Sequence, residues 1–170
     1  MRVPLYLPWI LVLALAACST APPTPTSPPS PAALGNSINT GVSGRLSVDQ
    51  ANDVTLYAIS LVGTPYRFGG NTPESGFDCS GLIDHVYLAR AGVAAPRTVS
   101  ALVDWGQPVA ATDVRTGDLV VFTQNGVSSH AGIYVGEGRF VHAPSSGGEV
   151  RLDALTSKYW ARQWVSYRRP

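Results

Sequence analysis

The segment from Ala21 to Gly44, APPTPTSPPSPAALGNSINTGVSG, confines any globular core to the residues that follow it. It is rich in Pro, Ser, Thr and Gly, carries no charged side chain and shows no apolar periodicity. A segment of this composition cannot bury enough apolar surface to offset the entropy lost on folding. We therefore predict an extended tether over residues 18–45 and one folded domain over residues 46–170, a length that supports a single core.

The residues before the tether have the pattern of an export signal. A basic start precedes an apolar run over residues 9–17, which is shorter than the roughly 20 residues of a transmembrane helix but suits the core of a secretory signal. The following LAAC resembles the bacterial lipobox, which implies a signal peptide over residues 1–17 and a diacylated Cys18. Ser19, not Asp, follows that cysteine, which resembles the sorting signal of outer-membrane lipoproteins in double-membrane bacteria. We therefore expect a lipid-anchored protein in the outer membrane, facing the periplasm. The alternative is an ordinary cleaved signal with an incidental cysteine.

Charge and cysteine content narrow the functional classes. Lys and Arg number 12, Asp and Glu number 11, and no Lys/Arg-rich run occurs, so nucleic acid is not an expected partner. The chain has two cysteines. If Cys18 carries lipid, Cys79 has no intramolecular partner, and a lone thiol outside the cytosol is either reactive or pairs between molecules.

Periodicity predicts helices first and antiparallel strands afterwards, which is typical of an α+β domain. The expected helices are Ser47–Val62, Cys79–Ala91 and Ser100–Trp105. The expected strands are Asp118–Phe122, His130–Val135, Arg139–Ala143 and Gln163–Tyr167. Ser47 and Gln50 form a capping-box pattern at the start of the first helix. Its many apolar residues, with Leu56, Ile59 and Val62 widening one face, predict a well-buried helix.

Cys79 stands in the first turn of the second predicted helix. It shares a face with Leu82, Ile83 and Val86, which indicates that the thiol points toward the rest of the domain. Unpaired N–H groups and the helix dipole favour an anion there, so we expect a lowered thiol pKa and a ready oxyanion site.

The chain offers three histidines as a base for this thiol. His85 follows Cys79 on the same helix but is rotated away from it, so we interpret His85 as a solvent-side residue. His130 and His142 lie on adjacent strands. In a hairpin that pairs Gly132 with His142, His130 is the diagonal neighbour on the same face.

This register would allow the helix face and the histidine-bearing sheet face to meet. Ile133, Val135 and Val141 support it because they then share the opposite face. A cysteine with two histidines suits a nucleophile, a base and an orienting residue. Structural histidines, or three ligands of a zinc ion, are the alternatives.

Five motifs along the chain together resemble one protein family. They are GTPYRFGG, FDCSGLI, GDLVVF, SHAGIYVG and FVHAPSSGG. In order and spacing they are similar to the NlpC family of bacterial cell-wall cysteine peptidases, from about Asn52 to Tyr167. The resemblance implies a papain-like α+β fold with N-terminal helices packed on a small antiparallel sheet. It also implies hydrolysis of amide bonds in peptidoglycan stem peptides, next to D-glutamate or within cross-links, without a metal or other cofactor.

By motif, the resemblance assigns Cys79 as the nucleophile, His130 as the base and His142 as the orienting residue. We therefore expect a cysteine endopeptidase whose partners are stem peptides and, through its lipid, a membrane. The alternative is a catalytically silent cell-wall binding or scaffold lipoprotein on the same fold. The sequence does not indicate an oligomeric state.

Four further residues are candidate substrate contacts. Tyr66 belongs to the GTPYRFGG motif, but it could equally be a buried loop aromatic. Asp78 and Ser80 flank the nucleophile, and Asp78 could instead cap the helix. Arg97 lies in the loop before the next helix, with a solvated charge as its alternative. Phe68 stands where many family members have Trp, which preserves an aromatic wall.

Overall fold

A computed structural model describes residues 44–145 and 148–170. The predicted signal peptide, the lipidated Cys18 and almost all of the tether lie outside these residues, so they stay predictions that palmitate labelling of wild type and Cys18→Ala would test. Within the described part of the chain, no helix has both the length and the apolarity needed to cross a bilayer.

The described residues form three helices, eight strands and one 3₁₀ turn. The helices are α1 (Val48–Ser60), α2 (Cys79–Ala91) and α3 (Val99–Leu102), and the 3₁₀ turn is Trp160–Arg162. The strands are β1 (Asn71–Thr72), β2 (Gly76–Phe77), β3 (Gln107–Val109), β4 (Leu119–Gln124), β5 (Val127–Gly136), β6 (Arg139–His142), β7 (Arg151–Ala154) and β8 (Trp164–Arg169). A small sheet pairs β1 with β2, and the main sheet has the antiparallel order β3-β8-β4-β5-β6-β7. The α+β prediction is confirmed.

Local capping signals fix the ends of the two long helices. Ser47 and Gln50 form the predicted capping box before α1, with reciprocal bonds of 3.2 and 3.0 Å. Helix α2 begins and ends at the predicted residues, and Gly92 closes it in the left-handed conformation with φ 67°. The third helix is shorter than predicted because Thr98 caps it earlier and it ends after one turn.

Helix α1 is less buried than its composition suggested. Val54 and Ala58 are fully buried, but Leu56, Ile59 and Val62 are 66%, 40% and 45% exposed. The prediction of a well-buried helix is therefore wrong, because α1 lies at the surface and packs only one side on α2 and the sheet.

Side chains alternate across the main sheet and build two separate cores. Helix residues Leu82, Ile83 and Val86 pack on one face, against Leu119, Val121, Ala131, Ile133 and Val141. The other face carries Val120, Phe122 and Phe140, which Trp160 covers. Both faces are buried, which explains why the LVVF run of β4 lacks polar alternation.

The predicted hairpin register holds along most of β5 and β6. Ile133 pairs with Val141, and Tyr134 pairs with Phe140. A bulge near the turn places Gly136, rather than Val135, opposite Arg139.

A buried ion pair ties the end of β8 to the residue before β4. Arg169 donates from Nε to Asp118 Oδ1 at 2.9 Å and from Nη2 to Asp118 Oδ2 at 2.8 Å. The two residues are only 4% and 1% exposed. Because both carboxylate oxygens are engaged, the pair has the two-pronged geometry that suits a buried Arg–carboxylate contact.

Candidate active site

The candidate nucleophile opens helix α2. Asp78 caps this helix through a 2.6 Å bond from the Gly81 N–H to its Oδ1, and Cys79 follows as a half-buried free thiol. Burial, and then the Asp78 carboxylate, raise the pKa of the thiol, while hydrogen bonding from the backbone of Ser80, Ala131 and Cys79 lowers it in part. The net pKa is raised, so the expected lowering is wrong: desolvation and the capping carboxylate outweigh the helix start.

The two candidate histidines meet on the face of the sheet that bears Phe122 and Phe140, which we call the histidine face. His130 Nε2 lies 2.8 Å from His142 Nδ1, and His142 is fully buried. The prediction that this face packs against the nucleophile helix is wrong, because α2 covers the opposite face.

The thiol instead reaches β5 through the backbone. Its sulfur interacts with the main chain of Ala131, the residue that directly follows His130. The His130 side chain lies on the histidine face, and the Cys79 thiol lies at the backbone of Ala131. The two can approach each other because adjacent strand residues are only about 3.3 Å apart along the strand. The cysteine and both histidines are thereby brought to one region of β5 and β6.

Asp153 extends the pair of histidines by one residue. It lies on β7 opposite Phe140, and its Oδ2 is 3.1 Å from His142 Nε2. The same oxygen accepts bonds from Trp160 Nε1 at 2.8 Å and from Arg151 Nε at 3.2 Å. Burial alone would raise the Asp153 pKa, but the Trp160 bond, His142 and Arg151 lower it overall, so Asp153 is a carboxylate at neutral pH.

An ionised Asp153 determines where the imidazole protons sit. A carboxylate only accepts hydrogen bonds, so His142 carries its proton on Nε2. That N–H makes no well-aligned hydrogen bond, and its close approach to Asp153 is mainly electrostatic. His142 Nδ1 then accepts from His130 Nε2–H, which leaves a free lone pair on His130 Nδ1. A bare ring nitrogen of this kind is what a general base requires.

Both histidines are held neutral. Burial, followed by His142 and Arg151, lowers the His130 pKa to about 3, against an opposing effect of Asp153. Burial also lowers the His142 pKa to about 4, although Asp153 opposes it. With the thiol pKa raised, the resting site holds a thiol and a neutral imidazole rather than an ion pair.

Trp160 fixes the orientation of this group. Its ring stacks on His130, with centroids 5.3 Å apart and an angle of 23°, and stands nearly perpendicular to His142 at 5.1 Å. Its N–H also donates to Asp153. The buried Trp160 side chain therefore contacts His130, His142 and Asp153. Neither Trp160 nor Asp153 was a sequence candidate. An aspartate in the polar segment EVRLDAL has no distinguishing spacing.

The candidate substrate contacts around the start of α2 form one network. Asp78 Oδ2 accepts from the Gly69 N–H at 2.9 Å, and Asp78 Oδ1 lies 3.5 Å from Arg97 Nη1. Ser80 is buried and donates to the Arg97 carbonyl at 2.8 Å. The capping role of Asp78 is confirmed, and Arg97 is exposed but pairs with the cap. Their contact with substrate stays a prediction.

Tyr66 faces the same region from the GTPYRFGG loop. It is half-buried, and burial, with the charges of Cys79 and Asp78, raises its pKa. The Tyr66 hydroxyl is therefore close enough to Cys79 to interact with it electrostatically. Phe68, in the same loop, is 88% exposed and offers an apolar surface to solvent.

His85 is more engaged than predicted. Its Nε2 lies 2.9 Å from the Tyr57 hydroxyl, and its ring packs against Phe77 with centroids 5.1 Å apart. The solvent-side interpretation is thus wrong, since His85 joins α2 to α1.

The zinc alternative lacks a suitable geometry. Across residues 44–145 and 148–170, no group of three or more His, Cys, Asp or Glu side chains is arranged to hold a metal ion. The facing nitrogens of His130 and His142 are directed at each other and share a proton, which favours the hydrogen-bonded arrangement.

Most of the described chain is similar to proteins of one known family. Residues 63–169 match the NlpC/P60 family. The murein DD-endopeptidase MepH of Escherichia coli K12 is 39% identical over 74% of this chain and 48% of its own length. The gamma-DL-glutamyl hydrolase of Bacillus subtilis 168 is 38% identical over 74% of this chain and 31% of its own.

A solved structure agrees with these sequence matches. The NlpC/p60 domain of the peptidoglycan hydrolase SagA has a TM-score of 0.60 and 28% identity, over 68% of this chain and 96% of that domain. This chain spans less than half the length of the two curated relatives.

Proposed function

Because this chain belongs to the NlpC/P60 family, we propose that it is a cysteine endopeptidase that hydrolyses amide bonds in peptidoglycan stem peptides or their cross-links. The observation that carries the proposal is the chain of contacts from His130 through His142 to Asp153, together with a thiol that lies against the backbone of Ala131, the residue after His130. The two relatives named above act, by their names, on different bonds. The proposal therefore specifies the class of bond, an amide of the stem peptide, and does not specify which amide is cleaved.

The first step joins attack to proton transfer. The Cys79 sulfur bonds to the carbonyl carbon while its proton passes to His130 Nδ1. Because the resting site is a neutral pair, this transfer accompanies the attack rather than preceding it. The imidazolium formed at His130 keeps its Nε2–H bond to His142, and the Asp153 carboxylate stabilises the new positive charge through that ring.

The carbonyl oxygen becomes an oxyanion in this step. Backbone N–H groups of Cys79 and Ser80 at the start of α2 are placed to donate to it, as they already donate toward the sulfur. His130 Nδ1–H then protonates the leaving amine, the C–N bond breaks and a thioester remains on Cys79. Water attacks the thioester, gives a proton to His130 and releases the acid, which regenerates the thiol.

The network around Asp78 supports the acyl side of the substrate in this scheme. Tyr66 interacts electrostatically with Cys79 and Arg97 pairs with Asp78, whereas Ser80 is buried and acts by holding the Arg97 loop. Asp78 both caps α2 and gives the acyl side a negative group. We therefore assign Tyr66, Asp78 and Arg97 as substrate contacts and Ser80 as a positioning residue.

Digestion of purified sacculi tests the proposal. Wild type should release muropeptides, and Cys79→Ala and His130→Ala should release at least about a thousandfold less. His85→Gln is the matched histidine control and should stay active, provided that its melting temperature is unchanged. Mass spectrometry of the released fragments identifies the cleaved bond. Equal release by wild type and Cys79→Ala would refute the nucleophile, and binding of sacculi without release by wild type would favour a silent scaffold.

A further inference from the structure

A large cavity opens beside His130. The cavity that contains His130 and Arg151 has a volume of about 460 Å³. A second cavity of about 760 Å³ adjoins it, and the two share Gln124, Tyr159 and Gln163. They therefore form one groove, which we call the base-side groove, and it runs from His130 toward the tip of the β4–β5 hairpin.

The charges of the base-side groove have one sign. Arg151 lines its inner part, and Lys158 and Arg162 line its outer part, whereas neither part is lined by an Asp or Glu. Lys158 and Arg162 are exposed, and within the described residues neither forms an ion pair with a carboxylate. An anionic ligand could thus bind both without displacing an internal partner.

Exposed aromatic rings form the wall of the outer part. Trp164 is 82% exposed and Tyr159 is 61% exposed, and both line the larger cavity. Large apolar surfaces left open next to a groove mark ligand contacts more often than chance exposure. Trp164 and Tyr159 can cover the aliphatic parts of a ligand whose charges meet Lys158 and Arg162.

The proposed chemistry decides which half of the substrate occupies this groove. The acyl half stays on Cys79 as a thioester, and the amine half receives its proton from His130. The base must therefore lie on the side of the leaving amine, and the groove that begins at His130 is the path that this fragment follows.

We propose that the base-side groove binds the leaving fragment through its free carboxylates, with Lys158 and Arg162 as the anion partners and Trp164 as an apolar wall. This subsite rests on the proposed endopeptidase function. It predicts selectivity for cross-links or stems whose leaving half is anionic, and discrimination against the same substrates with amidated carboxylates.

A binding experiment tests the subsite without requiring turnover. In a Cys79→Ala background, a soluble stem tetrapeptide with free carboxylates and its fully amidated form are titrated by calorimetry, with the Trp164 indole N–H followed by NMR. We expect the free form to bind about tenfold more tightly, with an advantage that shrinks as salt is raised. Lys158→Gln/Arg162→Gln should abolish the preference. Equal affinity for both peptides, or an unchanged preference in this double variant, would overturn the proposal.

A charge-matched control separates the groove from a general charge effect. Arg45→Gln/Arg139→Gln removes two exposed positive charges outside the groove and should keep the preference. In the active background, Lys158→Gln/Arg162→Gln should raise KM about tenfold and leave kcat within about twofold. No release from sacculi by wild type, with the binding preference intact, would refute the endopeptidase and uphold the anion site. An unchanged KM in the double variant would refute the site alone.

Discussion

Two opposite charges on β7 act on the histidines from the same side. Asp153 raises the pKa of both rings and Arg151 lowers it, while the two residues pair with each other at 3.1 Å. Burial is the largest effect and sets the pKa values well below the ordinary value of about 6.5. The neutral base form is therefore present over the whole range above about pH 5, and the acid limb of activity should lie below it.

Replacement of Arg151 should move that acid limb. Arg151→Gln removes a cause that lowers both pKa values, so the histidines should accept protons at a higher pH and the midpoint of kcat should shift upward. The pH dependence of kcat and the ring ¹⁵N shifts of His130 and His142 both measure it. Arg139→Gln, beside the exposed Glu137, is the control and should not move the midpoint. A midpoint near 6.5 in wild type would contradict the assignment.

Residue types were predictable where the chemistry is local to a motif. Cys79 at a helix start and two histidines on neighbouring strands could be found from spacing. The raised thiol pKa could not, because it depends on how deeply Cys79 is buried beside Asp78. Asp153 was missed because its role exists only when β7 pairs with β6 and Trp160 folds over the histidine face.

Helix α2 is the element on which the loop before it is built. Its third residue, Gly81, packs so closely that a Cβ would lie 2.0 Å from the Gly70 carbonyl oxygen. The backbone of the GTPYRFGG loop thus rests directly on the first turn of the helix. This contact explains why a glycine stands inside a helix, where it is otherwise unfavourable.

Enlarging this glycine should separate loop and helix. Gly81→Ala should lower the free energy of unfolding by about 1–3 kcal/mol, because backbone rather than a flexible side chain must move. Activity should fall as well, since Cys79 and Tyr66 are held on the two sides of the contact. Urea denaturation measures the first effect. Leu88→Ala, on the exposed side of the same helix, should stay within about 0.5 kcal/mol, and an equally small change in Gly81→Ala would show that the loop can yield.

Elements with local end signals were predicted closely, and those defined by pairing were not. Helix α2 has its cap, Asp78, within the FDCSGLI motif, and Gly92 closes it in the sequence directly after Ala91. Strands β3 and β7 are short: QPV shows no apolar alternation, and RLDA alternates over only four residues. They are strands only because β8 and β6 supply hydrogen-bonding partners. Helix α1 shows the reverse problem, since its apolar residues outnumber the positions that the core can cover.

At the scale of the whole molecule, the Asp118–Arg169 pair locks the sheet. It joins residues 51 positions apart and lies where β8 enters between β3 and β4. Two charges buried together are stable only as a pair, since removal of one leaves the other without its counter-charge in a low-dielectric surrounding.

Removal of Asp118 should therefore cost far more than removal of a surface charge. Asp118→Ala should lower the free energy of unfolding by about 3–5 kcal/mol, measured by urea denaturation. Asp104→Ala is the control, because Asp104 is exposed and 4.0 Å from Arg168, and it should change stability by less than about 1 kcal/mol. Similar losses in the two variants would mean that the buried pair is not a principal stabilising contact.

The position of β8 also affects when the domain can fold during synthesis. It is the final strand of the sheet, yet it fills the place between β3 and β4 and supplies the counter-charge of Asp118. During biosynthesis the nucleophile, both histidines and Asp153 are all made before the strand that completes the sheet around them. The sheet that carries the site is consequently incomplete on a nascent chain until the whole domain has been synthesised, so we expect hydrolytic activity to begin only at the last stage of folding.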